Sequence, residues 1–403
     1  MATGVQHIET HRIAAAIVEA ALLGTGLGLI LCAGLADKIW LDRHVLPHMF
    51  LTRDLQLLWW RVGRTTAIVA GLLLLCAVRP WVVRRVRSGR GGELAMQGTL
   101  IVVAILLSGV ASEAVLRSAL WHRVDRRLAS EEPLRQLDPY LGWVNWPGRT
   151  GFESFDGQHI VYAFDADGRR VARPGAVIDP ARPSILFTGE SVMIGFRLNW
   201  PETIAGRVEA MTGLQSVNLA VNGYGTDQSF MRVQAELPRF VAPSAVVILF
   251  APTLLERDLE EDRPHLDATL NWHPAQPGRQ LRRVARNVVI YHSIGEIDDG
   301  IARVRAVLRA TVLAARAHHA TALILVPSFL PETAAERAIR RRVLEDPPLP
   351  FVLVPLDPRW RLAHDGHPDA RANLAMARAV VAGLVRQNPA LFSGGGGRTA
   401  IAR

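Results

Sequence analysis

A serine at a tight turn is the feature of this sequence best suited to chemistry. The apolar run 185–188 ends in Gly189-Glu190-Ser191 and passes into a segment of helical character. A serine on a strand-to-helix turn exposes its hydroxyl beside the first amides of the helix, which favour negative charge. That setting suits a nucleophile whose attack on a carbonyl carbon creates an oxyanion.

The second part of the candidate site is the segment His364-Asp365-Gly366-His367-Pro368. His367 has the chemistry to act as general base towards Ser191 and then as general acid towards a leaving alcohol. Asp365 would orient His367 and stabilise its imidazolium form. Taken alone, each segment has a simpler interpretation. The serine turn is compatible with a plain N-cap, and the histidine segment with a loop or with a metal site at His364, Asp365 and His367.

From residue 184 onwards, short apolar runs alternate with helical stretches. The predicted strands are 184–188, 216–219, 245–250, 322–327 and 351–354, and the predicted helices include 204–211, 299–318 and 370–385. Five buried-type strands separated by helices are typical of a parallel, doubly wound α/β sheet. We therefore predict a three-layer α/β/α fold with Ser191 at the carboxyl edge of its sheet.

Three segments, in this order, resemble the motif blocks of the SGNH (GDSL-like) hydrolase superfamily. They are 187–195 with the serine, 218–228 with Gly223, and 365–368 with His367. The resemblance covers roughly residues 183–388, about half of the chain. It implies a flavodoxin-like sheet and a serine esterase or acyl-transfer activity without cofactor or metal. It also implies an oxyanion hole formed by the amides of Ser191 and Gly223 and by an asparagine side chain.

The chain departs from the family pattern at three places. It has Gly-Glu-Ser where Gly-Asp-Ser is commoner, and one residue instead of two separates Asp365 from His367. The third block, 249–257, contains no asparagine, and Thr253 is its nearest polar substitute. Losing one oxyanion donor typically costs about 2.7–4 kcal/mol of transition-state stabilisation, which slows an enzyme without abolishing its activity. Asn222 offers another side-chain amide nearby.

The charged cluster 256–263 is most simply a solvent-exposed face with ion pairs. The longer region 255–297 follows the third strand, on the side of the sheet where ligands bind in open α/β folds. It is equally compatible with a lid over the substrate pocket and with an exposed loop and helix.

Three apolar segments precede the α/β region. They are 13–36, 65–78 and 96–116, with tryptophans at their edges. Segments of this kind can span a bilayer, so residues 1–128 are predicted to form a membrane region with about three transmembrane helices. Buried helices of a soluble domain remain the alternative, because the second and third runs are marginal. Gly24 and Gly28 form a small-xxx-small pair suited to close helix packing.

The net charge of +9 is concentrated at the N-terminal end, where residues 1–128 carry 15 Lys and Arg against 8 Asp and Glu. Because these charges flank apolar runs, they indicate juxtamembrane anchoring and not nucleic-acid binding. The loop before the third segment contains five arginines: Arg79, Arg84, Arg85, Arg87 and Arg90. This loop favours the cytoplasm and would place everything after residue 116 outside. The other loops are also basic, so charge alone does not decide the orientation.

These observations divide the chain into four predicted parts. They are the membrane region 1–128, a connector 129–182 with short strands, an SGNH hydrolase-like catalytic domain 183–390, and a disordered tail 391–403. An apolar content of 49% excludes a mostly disordered chain. Both cysteines, Cys32 and Cys76, lie in the membrane region, which excludes a disulfide framework elsewhere.

The favoured hypothesis is a protein of the bacterial inner membrane whose catalytic domain is periplasmic or extracellular. It would act as a serine esterase on an O-acylated carbohydrate or lipid of the envelope, through an acyl-enzyme. Its partners would be this substrate and membrane lipid, with no cofactor and no nucleic acid. Two alternatives remain: an O-acyltransferase acting on a surface polysaccharide, and a degenerate domain that binds glycans or envelope partner proteins without catalysis.

Overall fold

The computed structural model describes residues 2–49, 53–128, 132–276 and 291–392. The described residues form two compact units. The first comprises residues 2–45, 53–121 and Tyr291, and the second comprises 46–49, 122–128, 132–276 and 292–392. The tail predicted to be disordered lies outside the described residues from residue 393 onwards.

Helices make up the described part of the N-terminal region. They are α1 (Ala2–Leu35), α2 (Lys38–His44), α3 (Arg53–Leu73), α4 (Arg79–Arg85) and α5 (Gly91–Leu128), with π-helical turns at Leu74–Val78 and Val86–Arg90. Three stretches are long and apolar enough to cross a membrane: Ala15–Leu35, Arg53–Ser88 and Met96–Ala114. The second is longer than the predicted 65–78, because helical structure continues through Arg79 and Pro80. Pro80 directly follows the π-helical turn Leu74–Val78 and Arg79, and its missing N–H removes one hydrogen bond from this continuous helical segment.

Helices α1 and α3 approach each other closely where Gly26 faces Gly71. A Cβ on Gly71 would lie 2.7 Å from the Gly26 carbonyl oxygen, and a Cβ on Gly26 would lie 3.1 Å from the Gly71 carbonyl oxygen. The absence of side chains at both positions therefore permits the contact. Among the described residues, a Cβ on Gly24 or Gly28 would meet no atom within 4 Å, so this predicted pair is not the one at the contact between α1 and α3.

The second unit is built around one eight-stranded sheet. The described strands are β1 (Arg135–Asp138), β2 (Gly142–Asn145), β3 (Thr150–Phe155), β4 (Gln158–Phe164), β5 (Arg170–Val171), β6 (Ser184–Thr188), β7 (Gln215–Asn218), β8 (Pro243–Leu249), β9 (His265–Leu266), β10 (Trp272–His273), β11 (Thr321–Phe329) and β12 (Phe351–Leu356). The large sheet has the order β12-β11-β8-β6-β7-β5-β4-β3. Separately, β1 pairs with β2 and β9 pairs with β10 as antiparallel hairpins.

Five strands of the large sheet are parallel: β12, β11, β8, β6 and β7. If these parallel strands are numbered 1 to 5 along the chain, from β6 to β12, their order in the sheet is 2-1-3-4-5. This is the flavodoxin-like arrangement. The short strands β5, β4 and β3 extend this sheet in antiparallel fashion beyond β7. The predicted doubly wound α/β fold is confirmed. Its antiparallel extension comes from the segment predicted as a connector.

Helices cover both faces of the sheet. They are α6 (Ser191–Ile194), α7 (Ile204–Thr212), α8 (Thr226–Glu236), α9 (Ile294–Ala317), α10 (Ala334–Leu344) and α11 (Ala370–Gln387), with 3-10 turns at Trp200–Glu202, Leu237–Arg239, Pro252–Leu259 and Pro389–Phe392. α7 and α11 pack on one face, and α8, α9 and α10 pack on the other. Ile185 and Phe187 of β6 join the first core cluster and Leu186 joins the second. Burial on both faces explains why this strand is apolar at every one of these positions.

A short segment between α2 and α3 also belongs to the second unit. Leu46 is 3% exposed and joins one core cluster, while Met49 is 7% exposed and joins the other. Arg361 donates a hydrogen bond to the Met49 carbonyl oxygen at 3.3 Å. The segment between the first two candidate spans is therefore part of the α/β core.

Candidate active site

Ser191 lies at the carboxyl end of β6, where the chain turns sharply into α6. Gly189 has a φ of +154°, and a Cβ there would lie 2.9 Å from Met193 Cβ and 3.0 Å from Leu249 Cβ. The turn therefore needs glycine. α6 begins at Ser191 and ends after one turn at Gly195, which has a φ of +77°. This geometry places the serine at the carboxyl edge of the parallel strands.

The structure brings the three predicted catalytic side chains together. Ser191 Oγ lies 2.8 Å from His367 Nε2, and His367 Nδ1 lies 2.5 Å from Asp365 Oδ1. The same Asp365 oxygen accepts the backbone N–H of His367 at 3.0 Å. The spacing of one residue lets Asp365 bond both the ring and the backbone of His367, which fixes the imidazole. A serine, an imidazole and a carboxylate in this series can activate the serine for nucleophilic attack.

Arg197 holds the far side of Asp365. Its Nη1 donates to Asp365 Oδ2 at 2.5 Å, and its Nε donates to Glu153 Oε1 at 2.9 Å. Its backbone N–H donates to the Tyr162 hydroxyl at 2.7 Å. Glu153 and Tyr162 lie on β3 and β4, so the antiparallel extension positions this arginine. Arg197 also has a φ of +58°, which non-glycine residues rarely adopt, and these contacts keep it there.

Asp365 is poised to stay ionised. Burial alone would raise its pKa, but the hydrogen bonds and charge of His367 and the charge of Arg197 lower that pKa to about 2. The carboxylate can therefore stabilise a protonated His367 at neutral pH. Phe196 packs on the imidazole with ring centroids 4.8 Å apart, and Arg361 donates to the carbonyl oxygen before His367. These contacts fix the loop that carries the histidine.

Glu190 contacts the candidate nucleophile directly. Its Oε2 is hydrogen-bonded to the Ser191 hydroxyl and accepts from Arg257 Nη1 at 3.0 Å. Its Oε1 accepts the Val192 backbone N–H at 2.9 Å. Burial would raise the pKa of Glu190, but Arg257, the Ser191 hydroxyl and His367 together lower it below its ordinary value. The carboxylate is therefore a charged N-cap of α6 and a second acceptor for the serine hydroxyl.

The charged cluster 256–263 is not uniformly exposed, so its interpretation as a solvated face is wrong. Asp258 is 2% exposed and accepts from the backbone N–H of Thr226 at 2.6 Å and from its hydroxyl at 3.0 Å. Arg257 pairs with the buried Glu190. Asp258 and Arg257 therefore bond residues of other motif blocks. The sequence on either side of them does not reveal these partners.

The predicted oxyanion donors lie at the same edge of the sheet. Gly223 follows β7 with a φ of +83°. Within the described residues, the backbone N–H groups of Ser191 and Gly223 have no hydrogen-bond partner, so both can serve a ligand. Thr253 is half-buried in the first turn of Pro252–Leu259, and its hydroxyl bonds no atom of the described chain. The roles of all three as oxyanion donors stay predictions.

Among the residues that the structure describes, no group of three or more His, Cys, Asp or Glu side chains is arranged to hold a metal ion. His364 is exposed, whereas Asp365 and His367 bond each other.

No protein-family model and no curated protein matches the chain. One similar solved structure is a GDSL-like lipase from Bacteroides thetaiotaomicron, which is 15% identical over 51% of this chain and 88% of that chain, with a TM-score of 0.31. A member of the lipolytic G-D-S-L family from Veillonella parvula is 9% identical over 49% of this chain and 96% of that chain, also at 0.31. A carbohydrate esterase is 12% identical over 55% of this chain and 69% of that chain, at 0.33. At these TM-scores the likeness carries no weight of its own.

The predicted arrangement of the three blocks on an α/β sheet is confirmed by the geometry of the chain itself. The parallel strands have the flavodoxin-like order. Ser191 follows the first parallel strand, Gly223 follows the second, and His367 precedes α11, the last α-helix described. This is the arrangement of blocks that the sequence predicts.

Proposed function

We propose that this chain is a membrane-anchored serine esterase of the SGNH type that acts on an O-acylated carbohydrate or lipid of the bacterial envelope. The observation that carries this proposal is the hydrogen-bonded series Ser191, His367 and Asp365 at the carboxyl edge of the sheet. Substrates bind at this edge in open α/β folds. The N–H groups of Ser191 and Gly223, which bond no atom of the described residues, supply the donors that an ester carbonyl oxygen needs when it becomes negative.

In the first half of the reaction, the acyl group is transferred to Ser191. His367 Nε2 takes the hydroxyl proton as Oγ forms a bond to the ester carbonyl carbon, and the carbonyl oxygen becomes an oxyanion. The N–H groups of Ser191 and Gly223 stabilise this oxyanion. When the intermediate collapses, the bond to the leaving alcohol breaks and the alcohol oxygen takes the proton from His367.

In the second half, an acceptor hydroxyl removes the acyl group. A water molecule gives its proton to His367 Nε2 and attacks the acyl carbon, and collapse returns that proton to Ser191 Oγ. Asp365 stabilises the imidazolium in both halves. A sugar hydroxyl in place of water would make the protein an O-acyltransferase on a surface polysaccharide, with the same residues in the same roles.

The candidate membrane spans are the basis for an envelope substrate. Three helical stretches long enough to cross a bilayer would hold the α/β unit at a membrane surface. We place the chain in the bacterial inner membrane, with the α/β unit on the periplasmic or outer side. Membrane lipid is then a permanent partner, and acylated lipids and glycans are within reach.

A non-catalytic domain that binds glycans or envelope partner proteins is the second candidate, and one contact favours it. The Ser191 hydroxyl is hydrogen-bonded to the buried Glu190 carboxylate as well as to His367. A hydroxyl that keeps its proton on the Glu190 side is not activated by His367, and the unit would then bind ligands without turnover.

A fluorophosphonate serine probe tests the proposal on the detergent-solubilised full chain. Wild type is compared with Ser191→Ala and His367→Ala, and matched controls are Ser154→Ala and His159→Ala, which change exposed residues on β3 and β4. An activated serine predicts labelling of wild type and of both controls, and no labelling of either site variant. An unlabelled wild type beside a reactive model esterase would support the binding domain instead.

A further inference from the structure

Two consecutive carbonyl oxygens in the turn after β7 are held by side chains from distant segments. The Asn222 carbonyl accepts from Arg135 Nη1 at 3.0 Å and from Trp143 Nε1 at 2.9 Å. The next carbonyl, of Gly223, accepts from Arg263 Nη1 at 2.5 Å. Arg135 and Trp143 lie on the β1–β2 hairpin, in the segment predicted as a connector.

The orientation of the Asn222–Gly223 peptide decides where the Gly223 N–H points. In a trans peptide the carbonyl and the N–H point in opposite directions. Donors that fix the Asn222 carbonyl on one side therefore fix the Gly223 N–H on the other. This N–H has no partner within the described part of the chain, as expected of a donor kept for a ligand.

The turn itself would tolerate either orientation. Tyr224 N–H donates to the Val221 carbonyl at 3.3 Å, and the φ of Gly223 is +83°, which together define a type II turn. Rotating the central peptide converts such a turn towards type I, with a negative φ at the third position. Glycine adopts both conformations at similar energy. The residues of the turn therefore do not select the orientation, and the hairpin donors do.

We propose that Trp143 and Arg135 are positioning residues that lock the Asn222–Gly223 peptide with its N–H towards the oxyanion site. This inference rests on the proposed serine esterase function and deepens it. The β1–β2 hairpin then completes the active site and is not a passive linker. The orientation of this peptide matters more here than in a site with an asparagine donor. The third block contains no asparagine, so the backbone amides must stabilise the oxyanion without a side-chain amide.

Trp143 is fitted to this role by its packing as well as by its N–H. A Cβ on Gly223 would lie 3.4 Å from Trp143 Cζ2, so the indole lies directly against the turn. The Arg263 guanidinium stands over the same indole at 5.3 Å, and Tyr224 packs beside it at 6.0 Å. The Tyr224 hydroxyl also donates to the Trp143 carbonyl at 2.6 Å. The hairpin therefore donates hydrogen bonds to the turn, and the turn donates one to the hairpin.

The rate of fluorophosphonate labelling of the full chain tests the lock, because the probe forms a tetrahedral adduct that uses the oxyanion hole. The variants are Trp143→Phe and Arg135→Gln, singly and combined. The matched control is Trp272→Phe, since Trp272 Nε1 donates to the Tyr140 carbonyl at 3.0 Å and so anchors the same hairpin without touching the turn. Arg135→Lys keeps one cationic donor and serves as a rescue variant.

We expect labelling to slow about 10-fold in Trp143→Phe and about 100-fold in the double variant, up to the loss seen when an oxyanion donor is removed. Trp272→Phe should label at the wild-type rate, and thermal unfolding temperatures should match between Trp143→Phe and Trp272→Phe. In the Trp143→Phe background, the variant with Arg135→Lys should be labelled faster than the variant with Arg135→Gln. Equal labelling rates in Trp143→Phe and wild type would overturn the inference.

A measurement of the turn itself separates this inference from the proposed function. If wild type is not labelled at all, the esterase proposal fails, and the peptide orientation is judged by NMR from the distance between the Asn222 Hα and the Gly223 amide proton. That distance is short in a type II turn and long in a type I turn, whereas the Tyr224 N–H is bonded in both. Trp143→Phe should weaken the corresponding cross-peak and Trp272→Phe should not. The same cross-peak intensity in both variants would show that the hairpin does not hold the peptide.

Discussion

Asp365 is bonded on one oxygen by His367 and on the other by Arg197. Both partners favour its charged form, which is why its pKa falls to about 2 despite burial. Because this pKa lies below the ordinary 3.8, the ionised carboxylate stabilises the fold above about pH 4. That contribution is lost as the pH falls through about 2. Asp365 therefore does not set the acidic limit of activity near neutral pH.

Replacing Arg197 should loosen Asp365 without removing it. We expect Arg197→Gln to lower kcat about 10-fold with KM nearly unchanged, because the carboxylate no longer holds the imidazole in one position. The pKa of Asp365 should also rise, so acid unfolding should begin at a higher pH. Steady-state kinetics and acid titration followed by circular dichroism measure both effects.

Arg239→Gln is the matched control for this prediction. Arg239 also pairs with a carboxylate, at 3.0 Å from Asp167, but its partner takes no part in the site. Unchanged kcat in Arg197→Gln, or an equal loss in Arg239→Gln, would contradict a positioning role for Arg197.

The pair Glu190–Arg257 is asymmetric in burial. The Glu190 side chain is 4% exposed, whereas that of Arg257 is 21% exposed. Removing the arginine leaves a buried carboxylate without its counter-ion, while removing the carboxylate leaves an arginine that reaches water. Breaking a buried pair by removing one partner costs about 3–5 kcal/mol when the charge left behind is buried.

We therefore predict that Arg257→Met destabilises the fold by about 3 kcal/mol or more, and Glu190→Gln by much less. The loss in Arg257→Met should be larger at pH 8 than at pH 5, because the unpaired Glu190 has a raised pKa and can be neutralised by protonation. Thermal unfolding at the two pH values measures this. Recovery of stability in the double variant is the check, and a double variant as unstable as Arg257→Met would refute the ion-pair account.

At the scale of elements, the 3-10 turn Pro252–Leu259 is tied to the start of α8 by Asp258. Burial and the neighbouring Asp227 raise the pKa of Asp258 to about 7. The folded chain therefore holds this proton more tightly than the unfolded chain, whose pKa is near 3.8. Between about pH 4 and pH 7 the free energy of unfolding falls as the pH rises, by the linkage of protonation to folding.

Asp258→Asn should reduce this pH dependence, because only Asp227 of the two neighbouring buried carboxyls can then ionise. The amide can still accept from the Thr226 N–H and donate to its hydroxyl, but it never ionises. We expect the stability of Asp258→Asn relative to wild type to be larger at pH 8 than at pH 5, because only the wild-type side chain has to ionise in the folded chain. Asp298→Asn, at a half-exposed carboxylate on α9, is the control and should change neither value. Equal pH slopes in wild type and Asp258→Asn would contradict the raised pKa.

The sequence predicts the parallel strands well because strands buried on both faces must be continuous apolar runs. β6 spans the predicted 184–188, and the predicted 351–354 falls inside β12. The contacts among Ser191, His367 and Asp365 were predictable because their residue types and order carry a chemical pattern. The side chains that hold them were not. Arg257, Trp143 and Arg197 find their partners 67, 79 and 168 positions away, and only the fold brings them together.

At the scale of the whole molecule, the segment 46–49 constrains how the chain crosses the membrane. Leu46 and Met49 are buried in the core of the α/β unit, although they precede the second candidate span. The rest of that unit follows the third span. In the proposed membrane topology, the chain would therefore cross the bilayer an even number of times between residues 49 and 132. The two candidate spans Arg53–Ser88 and Met96–Ala114 meet this requirement, which the charge distribution alone does not decide.

Reporter fusions should show this parity. An enzyme that is active only outside the cytoplasm, fused after residue 49 or after residue 392, should give the same result at both sites, and a fusion after residue 90 should give the opposite one. We expect activity at 49 and 392, because the α/β unit is proposed to face outwards. A reporter active only in the cytoplasm provides the mirror-image control. Reporter activity only in the fusion after residue 90 would agree with an even number of crossings but would reverse the orientation. The α/β unit and its substrate would then lie on the cytoplasmic side. Opposite results at 49 and 392 would mean that Leu46 and Met49 cannot reach the core in which the structure places them.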